Sequence, residues 1–293
     1  MIARFPSYYN KFRCIADRCR HSCCVGWEID LDNETLAKYR EDGREDILCH
    51  LEDRTIRLCD SGRCPFLRED GLCRIISELG DGYTSIICRE HPRFYHSVGD
   101  IIEGGIGAVC EEAARLILGS DDYAELVQHS CLGDASEETE LDTISYRNRI
   151  YSTLAERNKP FSERISSIER EYGISGIFDN ADEWNEVLLE LEYLYPEHRG
   201  MLRIGGRTAE YDSYLERVFA YLVFRHLSVA TSIDNLRARL GFCLLLCRAF
   251  ENYLFDSSPD FQGASDYIRM VSEEVEYSED NTASLIFEIE CKI

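Results

Sequence analysis

Cys14-Ile15-Ala16-Asp17-Arg18-Cys19-Arg20-His21-Ser22-Cys23-Cys24 puts four thiols into eleven residues. Cys19 and Cys23 are four apart, so on a helical turn their Cβ atoms would share one face at ~5–6 Å. Two thiolates at that spacing can grip one ion or one edge of a cluster. Cys23 and Cys24 are adjacent, and adjacent side chains diverge on a helix or a strand. They are therefore not expected to chelate one ion together. Either one serves one centre and its neighbour a second, or one of them is a buried, unligated thiol.

Outward from this stretch come Cys49, Cys59, Cys64-Pro65-Phe66-Leu67, Cys73, Cys88-Arg89-Glu90-His91-Pro92 and Cys110, so ten of the 14 cysteines lie between positions 14 and 110. Gly71-Leu72-Cys73 sets a flexible residue just ahead of a thiol, as a metal knuckle needs. Cys110 precedes a strong helix former, Glu111-Glu112-Ala113-Ala114-Arg115-Leu116-Ile117-Leu118. A helix N-terminus there would favour thiolate. All-thiolate sites suit zinc and iron–sulfur clusters alike. The spacing is neither that of a two-CxxC zinc finger nor that of ferredoxins. It also lacks the Cys-x3-Cys-x2-Cys loop of radical chemistry on S-adenosylmethionine. Iron–sulfur, of the 4Fe-4S kind, is preferred over zinc; buried structural thiols are the plainer alternative.

The chain of 293 residues is 44% hydrophobic, with 17 Tyr and 13 Phe, as a folded globular protein requires. No apolar run reaches the ~20 residues that span a bilayer, and residues 1–9 lack a signal-peptide segment. A cytoplasmic location is expected, and a reducing compartment turns the cysteines from disulfide partners into metal ligands or catalytic thiols. The net charge of −23 (32 − 55) makes nucleic acid and anionic membrane poor partners and a basic protein a better one. Only Lys11, Lys38, Lys159 and Lys292 are lysines; codon bias is the simpler reason, avoidance of self-modification the sharper one.

The expected fold is mainly α, with an irregular, Cys-rich, metal-stapled N-terminal region at 1–120 packed on a C-terminal helical domain at 144–293. An acidic connection at 121–143, with Asp134–Glu140 its most polar part, joins them. Turn signals at Asp60-Ser61-Gly62, Glu69-Asp70-Gly71 and Gly80-Asp81-Gly82 punctuate the first region, and its scarcity of long periodic stretches points to metal bonds as a source of stability. Helical patterns run over Ala181–Tyr195, Glu210–Leu227, Ile233–Leu254 and Ala264–Glu274. Ser284–Ile293 reads as a strand or an extended tail. Cys243 and Cys247 fall in an apolar helical run and are read as core; Cys131 and Cys291 suggest no partner.

The order Phe12-Arg13-Cys14, Cys19, Cys23-Cys24-Val25-Gly26-Trp27, Asp30, then Arg63-Cys64-Pro65-Phe66-Leu67, Gly71-Leu72-Cys73, Cys88-Arg89, Pro92-Arg93 and Cys110-Glu111-Glu112-Ala113-Ala114-Arg115-Leu116 closely resembles the flagellin lysine-N-methylase family. That family sits within a broader group of zinc- or iron-chelating cysteine-cluster proteins, and the motifs cover roughly residues 1–120. The later Leu215-Glu216-Arg217 and Tyr221-Leu222-Val223-Phe224-Arg225 are similar but less specific. The resemblance implies methyl transfer from S-adenosylmethionine to lysines of flagellin. It also implies an iron–sulfur or other metal centre held by Cys14, Cys19, Cys23, Cys24, Cys64, Cys73, Cys88 and Cys110. Cys59 and Cys49 lie outside the pattern. The alternative to an enzyme is a non-enzymatic zinc- or iron-binding or electron-transfer protein.

The chain departs from the family around Glu103-Gly104-Gly105-Ile106-Gly107-Ala108-Val109. There the glycines faintly echo a nucleotide-binding turn but read better as a bend that delivers Cys110. His91 could be a ligand, though a polar loop residue is the preferred reading for it. Tyr8, Tyr9, Tyr83 and Tyr95 could line an alkylammonium pocket, against packing as the commoner role.

Overall fold

The structure is a computed structural model that describes residues 2–130 and 141–293. In chain order its elements begin with β1 (Ile2–Pro6), β2 (Ile29–Asp30), α1 (Asn33–Glu41), α2 (Glu45–Leu48), β3 (Leu51–Glu52), β4 (Thr55–Ile56), α3 (Arg74–Leu79) and α4 (Ile86–Glu90). There follow β5 (Arg93–Val98), β6 (Ile101–Ile106), α5 (Glu111–Gly119), β7 (Leu126–Ser130), α6 (Thr143–Leu154) and α7 (Phe161–Glu171). The last are α8 (Ala181–Glu190), α9 (Asp212–Leu227), α10 (Ile233–Ser257), α11 (Phe261–Val271), a π-helical turn at Ser272–Glu276, and α12 (Glu279–Glu290). The described chain is mainly α, in agreement with the helical patterns of the sequence. None of the helices is long and apolar enough to cross a membrane among the described residues. Asp134–Glu140 and Cys131 lie outside those residues.

Contacts group the chain into two units that interleave in sequence. One comprises 13–94 with 110–112; the other comprises 1–12, 95–109 and 113–293.

The smaller unit has an apolar core of its own, built from Leu31, Tyr39, Ile47, Ile56, Phe66 and Ile75 around Cys64, with Cys24 and Cys73 packed against it. A three-stranded antiparallel sheet, β2-β4-β3, forms one part, with Ile29 and Leu51 both opposite Ile56. Asp53, at φ 55, makes the tight β3–β4 turn; Asp tolerates that left-handed region better than most residues. Asp32 caps α1 by accepting from Thr35 N and Thr35 Oγ1, both at 2.8 Å, and it also accepts from Ile86 N at 2.9 Å. One carboxylate therefore starts two helices. Burial would raise its pKa, but these donors hold the carboxyl down at about 2.

The larger unit carries a four-stranded sheet in the order β5-β6-β1-β7. β1 runs parallel to β6, with Ile2 opposite Ile101, and antiparallel to β7, with Pro6 opposite Leu126. Glycines within β6 make room for its neighbours: a Cβ at Gly104 would stand 2.6 Å from a Phe5 ring carbon and 2.9 Å from a Tyr95 ring carbon. Gly104 and Gly105 thus lie inside a strand, and the nucleotide-turn reading of this stretch does not hold. Glu103, fully buried, takes a bidentate pair from Arg147 at 2.5 and 2.6 Å and a hydrogen bond from Ser228 Oγ at 2.8 Å. It thereby ties β6 to α6 and to the end of α9.

Residues 215–227 of α9 and 236–254 of α10 are mostly buried, as expected of helices apolar on nearly every face. Ser232, Asp260 and Ser278 cap α10, α11 and α12 through the amides of Asn235, Gly263 and Asn281. Cys243 and Cys247 are buried in α10, which agrees with a core role. The sequence places a strand or tail at Ser284–Ile293, whereas α12 is a helix. Its cap at Ser278 and acidic first turn lie upstream of that window, and Leu285, Ile286 and Ile289 form its buried face. The helix expected to reach Tyr195 stops at Glu190, where Leu191 turns extended. Beyond it the buried Glu274 accepts from Leu194 N at 2.6 Å, Tyr195 N at 3.2 Å and the His198 ring at 2.5 Å.

Candidate metal centre

All eight cysteines of the pattern fall in the smaller unit. Cys24 and Cys64 sit on adjoining backbone: Cys64 N donates to Cys24 O at 2.8 Å, beside a bridge between Val25 and Arg63. The segment from Cys64 to Cys73 then folds back on itself. Leu67 N donates to Cys64 O, Arg68 N to Leu72 O, and Leu67 pairs with Cys73. Gly71 permits this turn at φ 80, where a side chain would be strained and a Cβ would press within 3.2 Å of Asp17 Cα. The result is a knuckle with a thiol at each end. Cys88 arrives on α4, whose start is fixed by Asp32 and by Ser85 Oγ donating to Asp30 O at 2.9 Å.

The loop carrying Cys19 is tied to the start of α5, next to Cys110. Glu111 accepts from Arg20 N at 2.8 Å, His21 N at 3.3 Å and Arg20 Nε at 3.1 Å, and the Cys19 thiol points to it at 3.8 Å. This carboxylate, next in sequence to Cys110, pins the loop that carries Cys19. Sequence reading took Glu111 only as a helix former; its adjacency to Cys110 was the available signal.

Cys23 and Cys24 do not diverge as the sequence suggests. Val25 N donates to Ser22 O at 3.1 Å, which makes them the two central residues of a turn, neither helix nor strand. Coupling between their thiols draws Cys24 down to about 7, against burial and with help from Ser22 and Arg63, and pushes Cys23 up.

The other thiols shift upward. Burial, opposed by backbone donors and reinforced by neighbouring thiols, takes Cys64 to about 11, with Cys24, Cys73 and Cys59 the neighbours that act on it. Cys88 is exposed as a residue, yet desolvation together with Cys24, Cys64 and Cys73 raises its thiol to about 12. Cys73 is raised chiefly by burial, with Cys24 contributing. Cys19 rises to about 11 through burial, with Glu111, Cys110 and Cys14 adding to it. Thiols that hold one another in the protonated state are what a thiophilic cation would relieve, so the donor chemistry fits zinc or an iron–sulfur cluster. No three His, Cys, Asp or Glu side chains form a ready-made metal site among the described residues.

Cys59, outside the pattern, acts on Cys64 all the same; Cys49 is exposed. His91 is lowered to about 4 by burial alone. Tyr8 is buried, the Tyr9 and Tyr95 hydroxyls meet at 2.9 Å, and in the other unit Tyr83 carries Lys38 Nζ 3.8 Å above its ring.

Sequence reading also missed a polar cluster in the core of the larger unit. Glu276, on the π-helical turn, accepts from Tyr221 Oη at 3.0 Å and meets His226 Nε2 at 2.7 Å and Arg225 Nε at 3.5 Å. Burial would raise its carboxyl, but Arg225 and His226 hold it at about 2. A small cavity adjoins it, lined by Ala108, Tyr221, Leu246, Phe250 and Val271 among others. The carboxylate is matched by its own partners, which is the arrangement of a structural ion network.

No family model matches the chain, and no solved structure matches it. Lysine-N-methylases from Salmonella typhimurium and Salmonella choleraesuis are each 29% identical over 140 residues, which is 43% of this chain and 35% of theirs. The flagellar biosynthetic protein FliU of Salmonella muenchen is 30% identical over 134 residues, 41% of this chain and 79% of that protein. The chain thus spans about a third of the length of the two lysine-N-methylases it matches.

Proposed function

The chain belongs to the flagellin lysine-N-methylase family, and from that membership we propose that it is a protein-lysine N-methyltransferase whose substrate is flagellin. The observation that carries this is the similarity to proteins named lysine-N-methylase, together with coverage of most of FliU. S-adenosylmethionine is the proposed methyl donor, and a cysteine-held iron–sulfur or zinc centre the proposed resident group, in a cytoplasmic protein.

The chemistry requires a neutral lysine. Its ammonium must first give up a proton to a base or to water; the freed Nζ lone pair then bonds to the sulfonium methyl carbon. The C–S bond breaks with its electron pair going to sulfur, which leaves a thioether. The surplus of acidic residues favours encounter with a basic segment of the target. When bound, a metal centre of this donor type supplies either cross-linking of the fold or one-electron redox capacity. The eight cysteines are the residues that would hold it.

The test is incubation of anaerobically purified protein with S-adenosylmethionine and flagellin, read by intact mass and peptide mapping. Methyl increments confined to flagellin lysines are expected. Their absence, with donor and metal both present, overturns the methyltransferase. A second reading, a non-enzymatic metal-binding or electron-transfer protein, is favoured by the gathering of the thiols in one unit. Retained metal without methyl transfer would support it.

A further inference from the structure

We propose that Phe5, Tyr9 and Tyr95 form a docking site for an alkylammonium group, the side chain of the lysine to be methylated. This rests on the methyltransferase reading above and adds where the target side chain lands.

The site is built on the four-stranded sheet of the larger unit. β6 stands between β5 and β1, and its Gly104 has no side chain to keep the rings of the neighbouring strands apart. A Cβ there would stand 2.6 Å from a Phe5 ring carbon and 2.9 Å from a Tyr95 ring carbon, so both rings lie against the bare backbone of β6. Tyr9 comes from the short helical turn at Tyr9–Lys11 and stacks on Phe5, with ring centroids 4.4 Å and planes 28° apart. Its hydroxyl meets that of Tyr95 at 2.9 Å in an exposed position. Three rings thus converge from two strands and a turn, and a hydroxyl pair joins the two tyrosines.

Packing accounts for Phe5, which rests against Gly104 and Tyr9. It does not account for Tyr95, which stays 47% exposed, or for two phenol groups set side by side in water. Aromatic faces attract an ammonium group through the ring quadrupole, and the same rings take an apolar stem. The mutual hydrogen bond uses a single lone pair, so both phenol oxygens keep the capacity to accept from N–H groups. Ring faces with acceptors at their edge match a lysine side chain, an apolar stem that ends in a charged donor. Phenol hydroxyls are neutral, so they hold the amine without the stabilisation of its charged form that a carboxylate would impose.

The experiment titrates the full chain, its tyrosine rings labelled with carbon-13, and follows the ring signals by NMR. The probes are tetramethylammonium, n-butylammonium and the neutral isostere 3,3-dimethylbutan-1-ol; Tyr95→Phe identifies the Tyr95 signal. Saturable shifts of the Tyr9 and Tyr95 signals are expected with both cations and not with the alcohol. In Tyr95→Leu the affinity for tetramethylammonium should fall about fivefold. Tyr9→Phe keeps the ring and removes one hydroxyl. It should weaken n-butylammonium and leave tetramethylammonium, which has no N–H, unchanged. Absence of a saturable shift, an equal response to the alcohol, or unaltered affinity in folded Tyr95→Leu overturns the site. The titration needs neither methyl donor nor metal, so the site and the enzyme reading fail separately. Methyl transfer with an unchanged KM for flagellin in Tyr95→Leu keeps the enzyme and overturns the site. Saturable cation binding without any methyl transfer overturns the enzyme and keeps the ammonium site.

Discussion

Glu111 is where one side chain does the most organising. It is nearly buried and takes two backbone amides and a guanidinium from residues 19–21. Hydrogen bonds to a charged acceptor contribute about 1.5–3 kcal/mol, more than neutral ones. In Glu111→Ala the Arg20 and His21 amides lose their acceptor, while Asp32 and the apolar core around Phe66 stay in place. Hydrogen exchange at these two amides should accelerate about tenfold or more, with exchange in α1 unchanged. Equal acceleration in α1 would show that Glu111 supports the whole unit rather than the loop.

The buried pair of Glu103 and Arg147 acts between elements, joining β6 to α6, with Ser228 of the α9 end as third partner. Removing one partner leaves an uncompensated charge, at about 3–5 kcal/mol. Arg147→Met should therefore lower the urea midpoint strongly. Glu103→Leu combined with Arg147→Met should regain most of that loss, because a well-packed apolar pair replaces a desolvated ionic one. A double variant as unstable as the single would mean that packing, and not charge, is what Arg147 supplies.

Elements also mark what could be read in advance. α9 and α10 were legible because their apolar residues persist at helical spacing, although only α10 starts on a capping side chain, Ser232. α12 was not, since its cap lay outside the stretch considered. β1 pairs with β6 across about a hundred residues, and nothing local in Ile2–Pro6 signals a parallel partner so far away. For the candidate site, the spacing named the thiols but could not sort them. The surroundings of the thiols depend on the 22–25 turn, the knuckle at Gly71 and the carboxylate of Glu111, which act through the fold.

At the scale of the molecule the buried ionisable groups act together under acid. Burial lowers His96 to about 4 and also lowers His226. Both are neutral in the folded chain, whereas in the unfolded chain they gain a proton below about 6.5. Their effect is absent above that pH and becomes destabilising as pH falls from 6.5 toward 4. Glu276, held at about 2, contributes stability present above its unfolded value of 4.5 and lost as pH falls from there toward 2. All three have the same sign. Stability from denaturant melts should decline steadily below pH ~6.5. His96→Gln should flatten the upper part of that decline; an unchanged slope would remove His96 from the account.

The interleaving of the two units has a consequence on the ribosome. Synthesis proceeds from the N-terminus, and segments fold as they emerge. Residues 13–94 emerge as one continuous run, so Cys24, Cys64, Cys73 and Cys88 are all available early. β1 emerges before them and must wait for β6 and β7. Cys110 comes last of the eight thiols, in the three-residue return that closes the smaller unit. Its delivery therefore coincides with the start of α5, so the smaller unit is completed only as the chain turns to building its helical half.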